Sequence, residues 1–294
     1  MDGKPPRIYA TSRAFEAALK AKLLPRITRV RTFTVLRKEV AFDRFLARVH
    51  AAAPDAWLLK GGVALEFRLP DARPTNDVDI SVRIGTRHDE IIAMLHAAAN
   101  HDLEDYLRFS VGEPQAISEE INVCRFLLEA RLGDNRPFEK FKVDVGFGDA
   151  WIGEPETLTG SAILTFAGIR PAEVKAIPLE QHLAEKLHAY VRSRGDRANT
   201  RVKDLVDMAL LVEHSPFAFD RLREALDVTF TSRGPHGVPK ALPPPPHDWA
   251  TSYARLAEDL PVPQMIDGAH RHVAAILNPI LARYGDLESG RTGR

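Results

Sequence analysis

The apolar residues of this chain follow two different periods, and the change falls near residue 178. Before that point, stretches that alternate apolar and polar residues, typical of strands, are interspersed with stretches in which apolar residues recur every three or four positions, typical of helices. After it, only the helical period remains. We therefore predict a bilobed α/β (α+β) protein, with a mixed sheet in an α/β lobe at residues 1–178 and an all-helical lobe at residues 179–294.

The same periods predict the individual elements. The predicted strands lie at 57–60, 77–83, 122–132, 138–147 and 173–177. The predicted helices lie at 12–24, 38–52, 63–68 and 88–101 in the first lobe and at 179–194, 202–213, 217–228, 252–260 and 269–284 in the second. Four consecutive prolines at 243–246 lack backbone donors, and they predict a linker or a surface strap.

Two carboxylates share one side of the predicted strand at 77–83. Asp77 and Asp79 alternate with apolar residues, and residues two apart in a strand point to the same face. Like charges this close repel one another unless a cation lies between them. Mg²⁺ prefers oxygen ligands and leaves coordination positions for water and substrate phosphate, so the pair predicts a metal site. The alternative is a solvated polar face on an edge strand, because an isolated D-x-D pattern is common.

A glycine pair lies shortly before these acids. Gly61 and Gly62 separate an apolar run at 56–59 from another that begins at Val63. Glycine tolerates conformations that other residues avoid and lets the backbone approach a ligand closely. The pair therefore predicts a tight turn that can lie against a phosphate.

A third acid has two candidates. Asp144 occupies the polar side of the strand predicted at 138–147, where it would complete the site as a metal ligand or as the proton acceptor for an attacking hydroxyl. The alternative interpretation of Asp144 is an exposed strand carboxylate. Asp149 follows Gly146 and Gly148, which places it in a predicted loop and makes it the second choice.

Charged residues also stand out in the helical lobe. Lys186 falls within the apolar stripe of the helix predicted at 179–194. In one interpretation, the aliphatic part of its side chain packs there while the ammonium reaches water. In the other, the ammonium enters a cleft and holds a nucleotide phosphate. Asp204 and Asp207 lie three residues apart, opposite the apolar side of the next helix. The simplest interpretation of these two acids is a solvated face near a helix N-terminus.

Composition narrows the functional classes. The chain has 40 basic and 40 acidic residues, so only a local basic patch could attract nucleic acid. The single cysteine, Cys124, excludes an intrachain disulfide and a cysteine-rich zinc site. The absence of G-x-x-x-x-G-K-[ST] and G-x-S-x-G argues against a Walker ATPase and a serine hydrolase. No apolar run approaches the roughly 18 residues that cross a bilayer, and no signal segment is visible, so we predict a cytoplasmic protein with no membrane partner.

Four motifs, in this order along the chain, resemble those of the AbiEii-type nucleotidyltransferase toxins, which include the mycobacterial MenT group and belong to the wider polymerase-β-like superfamily. The motifs are Leu59–Leu65, Thr75–Ile80, Ala184–Ala189 and Arg201–Asp207. The resemblance implies a toxin of a toxin–antitoxin system with a cognate antitoxin. It also implies Mg²⁺ or Mn²⁺ as cofactor and a nucleoside triphosphate as co-substrate. The implied reaction adds nucleotides to the 3′ acceptor end of tRNA and so blocks aminoacylation and translation.

The resemblance also implies roles for individual residues. The residues that would contact the nucleotide are Lys60, Gly61, Gly62, Thr75 and Lys186. The metal ligands would be Asp77, Asp79 and Asp144. Asp204 or Asp207 would support the site. Apart from the resemblance, the arginine-rich stretch at 192–201 is a candidate to grip a single-stranded RNA end. Because these motifs handle the nucleotide and not its acceptor, transfer to a protein or a small molecule stays open, as does a non-catalytic binding module.

Overall fold

The computed structural model describes residues 8–82, 86–118, 123–133, 136–147, 151–192, 201–214, 216–233 and 237–291. The chain divides into two compact units. The first comprises Met1–Pro70, Pro74–Asp149 and Pro155–Ala176, and the second comprises Asp71–Arg73, Ala150–Glu154 and Ile177–Arg294. The second unit therefore includes two short segments that precede its helices in the chain.

A mixed sheet of eight described strands organises the first unit. The strands are β1 (Trp57–Lys60), β2 (Asp77–Val82), β3 (Leu107–Val111), β4 (Gln115–Ser118), β5 (Val123–Leu132), β6 (Arg136–Phe147), β7 (Glu156–Thr159) and β8 (Glu173–Ala176). Their order across the sheet is β3-β5-β6-β2-β1-β8-β7, and β4 also pairs with β5. Strands β2 and β6 run parallel, as do β1 and β8, whereas the other neighbours are antiparallel.

Four helices accompany this sheet in the described part of the first unit. They are α1 (Ser12–Leu23), α2 (Phe33–Ala52), α3 (Gly61–Arg68) and α4 (His88–Asn100). Helix α2 supplies much of the core, since Phe42 and Phe45 both pack edge-on against Phe141 of β6. Along β5, buried side chains alternate with more accessible ones, so one side of this strand faces the core while the other presents polar groups.

The described part of the second unit is helical. Its helices are α5 (Leu179–Val191), α6 (Val202–His214), α7 (Phe219–Ser232), α8 (Ala250–Ala257) and α9 (Ile266–Arg291). Helix α5 packs against α6 and α7, and α6 also packs against α8 and α9. The proline stretch is tied to this bundle, because the Tyr190 hydroxyl donates a hydrogen bond to the Pro243 carbonyl at 2.8 Å.

The structure corrects several predicted boundaries. Strands β3, β4 and β7 were not predicted; β4 and β7 have only four residues each, which is too short for a clear alternation. Helix α2 begins at Phe33 rather than at residue 38, because the Thr32 side chain caps it by accepting a hydrogen bond from the backbone N–H of Val35. Helix α3 begins at Gly61, so the glycine pair opens the helix instead of forming a separate turn before it.

Candidate active site

Four charged side chains lie in a row across the sheet of the first unit. Lys60 of β1 pairs with Asp79 of β2, Asp79 pairs with Asp144 of β6, and Asp144 pairs with Arg125 of β5. Residues directly opposite one another on neighbouring strands share a face. The row thus places two carboxylates between two cations on the polar side of the sheet.

Asp77 occupies the same side of β2, two residues before Asp79. Both carboxylates are partly buried. Val78, which lies between the two acids, and Ile80, which follows Asp79, are fully buried in the core. The apolar residues therefore anchor the strand and hold both acids on its accessible face. Asp77 pairs with Lys142 of β6, one row further along the sheet.

The glycine pair lies directly against these acids. Gly61 has φ +64°, a left-handed conformation that side chains rarely adopt, and a Cβ atom there would overlap the carboxylate of Asp79. A Cβ atom at Gly62 would lie 2.5 Å from the Thr75 hydroxyl oxygen. Helix α3 begins at this point, and the first N–H groups of a helix have no intrahelical partners. The arrangement brings the start of a helix next to the carboxylates of β2, which suits a phosphate approached by a metal ion.

A backbone hydrogen bond fixes Thr75 beside the glycine pair. Its N–H donates a hydrogen bond of 2.7 Å to the Glu66 carboxylate of α3. The next residue, Asn76, accepts a hydrogen bond of 2.9 Å from the Lys38 ammonium of α2. These contacts fix the segment that leads into β2 and thereby the position at which Asp77 enters the sheet.

Arg125 neutralises the third acid. Its guanidinium donates two hydrogen bonds of 2.7 Å to the two carboxylate oxygens of Asp144, a bidentate geometry. The hydrogen bonds to Asp144 raise the pKa of Arg125, and the charges of Asp77 and Asp79 act in the same direction. One guanidinium therefore lies within electrostatic reach of all three acids. Asp149, the other candidate for the third acid, lies outside the described residues.

These residues fit a divalent metal in part. Asp77 and Asp79 offer oxygen ligands on one face, the donor type that Mg²⁺ selects. The described residues contain no cluster of three or more His, Cys, Asp or Glu side chains that could hold a metal ion. Both carboxylate oxygens of Asp144 accept hydrogen bonds from Arg125. A metal held by all three acids requires Arg125 to release or share Asp144.

A buried ion cluster occupies the second unit. Asp207 of α6 is fully buried, and its two carboxylate oxygens accept hydrogen bonds of 2.7 Å from the Arg73 guanidinium. The Lys186 ammonium of α5 lies 2.7 Å from Asp207 and 3.6 Å from Asp204. The predicted solvated face for these two acids is therefore wrong, because they turn inward to compensate buried cations.

Burial and charge act in opposite directions on this cluster. Burial alone raises the pKa of Asp207, but Arg73 and Lys186 outweigh it and hold that pKa well below its ordinary value. Burial likewise lowers the pKa of Lys186, and the carboxylates of Asp207 and Asp204 outweigh it so that the pKa is raised. Asp207 and Lys186 are thus both charged at neutral pH. The side chain of Lys186 is largely buried, and its predicted contact with a phosphate stays a prediction.

Two important arginines were missed in the sequence. Arg125 lies opposite Asp144 only because β5 and β6 pair in that register, although its alternation with buried Cys124 and Phe126 marks it as a polar-face residue. Arg73 lies in a loop that precedes β2, and it meets Asp207 across a separation of 134 residues. Residues 193–200 of the predicted RNA-gripping stretch lie outside the described part of the chain.

The close approach of Gly61 to Asp79 gives a sharp prediction. We expect Gly61→Ala to lower nucleotide transfer by about 100-fold, since the new Cβ atom displaces a carboxylate that must be placed to within about 1 Å. The positive φ adds about 1–2 kcal/mol of strain. The measurement is label transfer from a radiolabelled triphosphate, together with the thermal midpoint of unfolding. Gly237→Ala is the matched control, because a Cβ atom there meets nothing within 4 Å; equal transfer by both variants would contradict the prediction.

Comparison with solved structures shows which fold this chain shares. One similar structure is MenT4, a nucleotidyltransferase toxin from Mycobacterium tuberculosis H37Rv. The alignment covers 90% of this chain and 88% of the MenT4 chain, with a TM-score of 0.57 and 16% sequence identity. At this identity the similarity shows the fold, a nucleotidyltransferase core with C-terminal helices. A second similar structure is JHP933 from Helicobacter pylori. The alignment covers 89% of this chain and 97% of the JHP933 chain, with a TM-score of 0.49 and 15% sequence identity.

The family follows from the sequence. The family model of the "Nucleotidyl transferase AbiEii toxin, Type IV TA system" matches residues 44–276, which is most of the chain. The chain belongs to this family, and it is therefore a nucleotidyltransferase toxin of the type IV toxin–antitoxin class, which implies a cognate antitoxin. No curated protein matches the chain. None of the described helices combines the length and the apolar character needed to cross a bilayer.

Proposed function

We propose that this enzyme transfers nucleotides from a nucleoside triphosphate to the 3′ acceptor end of tRNA with the help of Mg²⁺, and that it blocks translation in the cytoplasm. The observation that carries the chemistry is the row of Lys60, Asp79, Asp144 and Arg125 beside the glycine pair of α3. It supports phosphate chemistry because it unites carboxylate oxygens that can bind a metal, flanking cations and the start of a helix. Membership of a nucleotidyltransferase toxin family favours this reading over a non-catalytic binding module.

The proposed mechanism assigns a step to each group. The triphosphate lies at the start of α3, where Gly61 and Gly62 let its oxygens reach backbone N–H groups. Asp77 and Asp79 would hold Mg²⁺, which stabilises the charge that develops on the phosphate oxygens. Asp144 accepts the proton of the RNA 3′ hydroxyl. The hydroxyl oxygen then bonds to the α-phosphorus as the bond to pyrophosphate breaks.

Arg125 has a defined place in this mechanism. Before substrate binds, its guanidinium compensates Asp144 and lessens the repulsion among the three acids. Release of Asp144 would leave the guanidinium beside the substrate phosphates, which it can bind in the same bidentate manner. Lys186 has its charge already compensated by Asp207, so we propose that Lys186, Asp204 and Asp207 support the fold of the second unit.

The nature of the acceptor decides between this proposal and its rival. Purified enzyme is incubated with each α-labelled triphosphate, Mg²⁺ and separate pools of total RNA, total protein and small molecules. We expect label in RNA of tRNA size, because a 3′ terminal hydroxyl is the proposed nucleophile. Oxidation of the terminal ribose with periodate removes that nucleophile and should abolish labelling, and a chelator should do the same.

The controls separate the outcomes. A reaction without enzyme sets the background, and re-addition of Mg²⁺ after chelation should restore the signal. Label in the protein or small-molecule pool would overturn the tRNA assignment and establish the rival acceptor. Label in RNA that survives periodate treatment would overturn attack by the 3′ hydroxyl.

A further inference from the structure

Beyond the acids, the same face of the sheet carries an excess of basic side chains. We call this the basic sheet face, and it consists of Arg108, Arg131, Lys140 and Lys142. All lie on the strands that extend from the acids towards the edge of the sheet, namely β6, β5 and β3. The chain as a whole is electrically balanced, so this concentration of positive charge is local.

Strand register shows that these residues share the face of the catalytic acids. Lys140 and Lys142 precede Asp144 on β6 at intervals of two residues, so all three side chains point the same way. Lys140 pairs with Glu129 of β5, which alternates with Arg131 and the exposed Leu127. Arg131 in turn pairs with Arg108 of β3. The basic sheet face is thus a continuous extension of the row that contains Asp144.

The basic residues are accessible and outnumber the acid among them. The side chain of Lys140 is 64% exposed, and Arg108 and Lys142 are exposed as well. Glu129 is the acid within the basic sheet face, and it lies 3.0 Å from Arg131 and 3.8 Å from Lys140. Lys142 lies opposite Asp77, so its charge is partly compensated there. The other three cations share the single carboxylate of Glu129, so this part of the surface keeps a net positive charge that favours a polyanion.

The pairing of two arginines supports an anionic ligand. Arg108 and Arg131 lie directly opposite each other on antiparallel strands, and like charges in this position destabilise a sheet. Glu129 compensates Arg131 in part, and an anion placed between the two arginines would lessen the remaining repulsion. A phosphate suits two guanidinium groups because each can bind it through a planar fork of donors.

We propose that the basic sheet face binds the phosphate backbone of the single-stranded 3′ end of the RNA acceptor and leads its terminal hydroxyl to Asp144. This inference rests on the proposed function, which it deepens by assigning a path to the substrate. Lys140 lies four residues from Asp144, which corresponds to about 13 Å along a strand.

The test uses charge reversal at two exposed basic positions, Arg108 and Lys140, which are not paired with Asp77, Asp79 or Asp144. We expect Arg108→Glu/Lys140→Glu to weaken binding of an RNA hairpin with a single-stranded 3′ tail by at least about tenfold, measured by fluorescence anisotropy without nucleotide. Two lost phosphate contacts should also reduce the slope of log Kd against log salt by about 1.4, since each contact contributes about 0.7 on single strands. The same hairpin without its tail should bind both proteins equally.

The matched control reverses two exposed lysines of α1. Lys20→Glu/Lys22→Glu makes the same change in net charge on a helix outside the sheet, so RNA affinity should stay at the wild-type level. Binding of the triphosphate, measured by calorimetry, should be unchanged in both double variants. Arg108→Ala/Lys140→Ala provides a milder version in case charge reversal prevents folding, with the same direction of effect.

The possible outcomes test this inference separately from the proposed function. Equal RNA affinity of wild type and Arg108→Glu/Lys140→Glu would overturn the inference, and so would an equal loss on the hairpin without a tail. Loss of antitoxin binding with unchanged RNA affinity would assign the surface to the antitoxin and overturn it too. If the wild-type enzyme labels no RNA, the proposed function fails, whereas the binding comparison without nucleotide still decides whether this face holds RNA.

Discussion

Asp79→Ala is expected to lower nucleotide transfer by about a thousandfold and to abolish growth inhibition while the protein stays folded. The carboxylate lies between Asp144 and Lys60 and directly against Gly61, so its removal takes one of the two proposed metal ligands from the point where the glycine pair approaches β2. Loss of one electrostatically essential group commonly costs about two to three orders of magnitude in rate. The measurements are label transfer from a radiolabelled triphosphate to RNA and growth on induction.

Stability should change much less than activity. Asp79 lies opposite Lys60 on one side and Asp144 on the other, so its removal loses one attraction and relieves one repulsion, and the thermal midpoint should stay close to that of the wild type. Asp79→Asn keeps the shape and removes the charge, so it should be as inactive as the alanine variant. Asp55→Ala, an exposed acid close to β1, is the control and should transfer label at the wild-type rate. Transfer by Asp79→Ala at that rate would remove Asp79 from the metal site.

Asp207→Ala is expected to reduce the free energy of unfolding by about 3–5 kcal/mol, the usual cost of removing one partner from a buried ion pair. The variant leaves Arg73 and Lys186 buried without their shared carboxylate; their side chains are only 9% and 10% exposed. Chemical denaturation monitored by circular dichroism gives the value. Asp220→Ala, an exposed acid in the first turn of α7, is the control and should cost at most about 1 kcal/mol.

A second substitution identifies the cause of this loss. Lys186→Met removes one buried cation and leaves Asp207 paired with Arg73, so alone it should cost less than Asp207→Ala. In the double variant, Lys186→Met removes the ammonium that Asp207→Ala has left without its partner. The double variant should therefore be more stable than the sum of the two single losses predicts. Strict additivity would show that the two side chains do not interact.

The effect of Asp207 should also depend on pH in a defined direction. Its pKa in the folded protein lies below the value of 3.8 for a free carboxyl, so the stability that it contributes is present above that pH and is lost as the pH falls further. The pKa of Lys186 is raised above 10.5, so its contribution is present below that pH and is lost as the pH rises through the raised value. The difference between wild type and Asp207→Ala should therefore be constant from about pH 5 to 10 and shrink under strong acid. A difference that vanished near pH 7 would contradict a charged Asp207.

Features that depend on neighbours in the chain were visible in the sequence. The common face of Asp77 and Asp79 follows from the two-residue period of a strand, and strand β1 has the predicted bounds. The motifs around Gly61, Asp77, Lys186 and Asp204 identified the family, since each is a short run of consecutive residues. The change from a mixed pattern to a purely helical one likewise indicated a fold that the comparison with MenT4 confirms.

Features that depend on distant partners were decided only by the tertiary structure. Arg125 compensates Asp144 because two strands pair in one register, and Arg73 compensates Asp207 across 134 residues. The sequence placed Asp204 and Asp207 on a polar, solvated side of their helix, whereas a second helix supplies the lysine that draws them inward. Periodicity reports which side of an element is polar, but it does not report whether that side meets water or a buried charge of opposite sign, because this depends on which elements pack together.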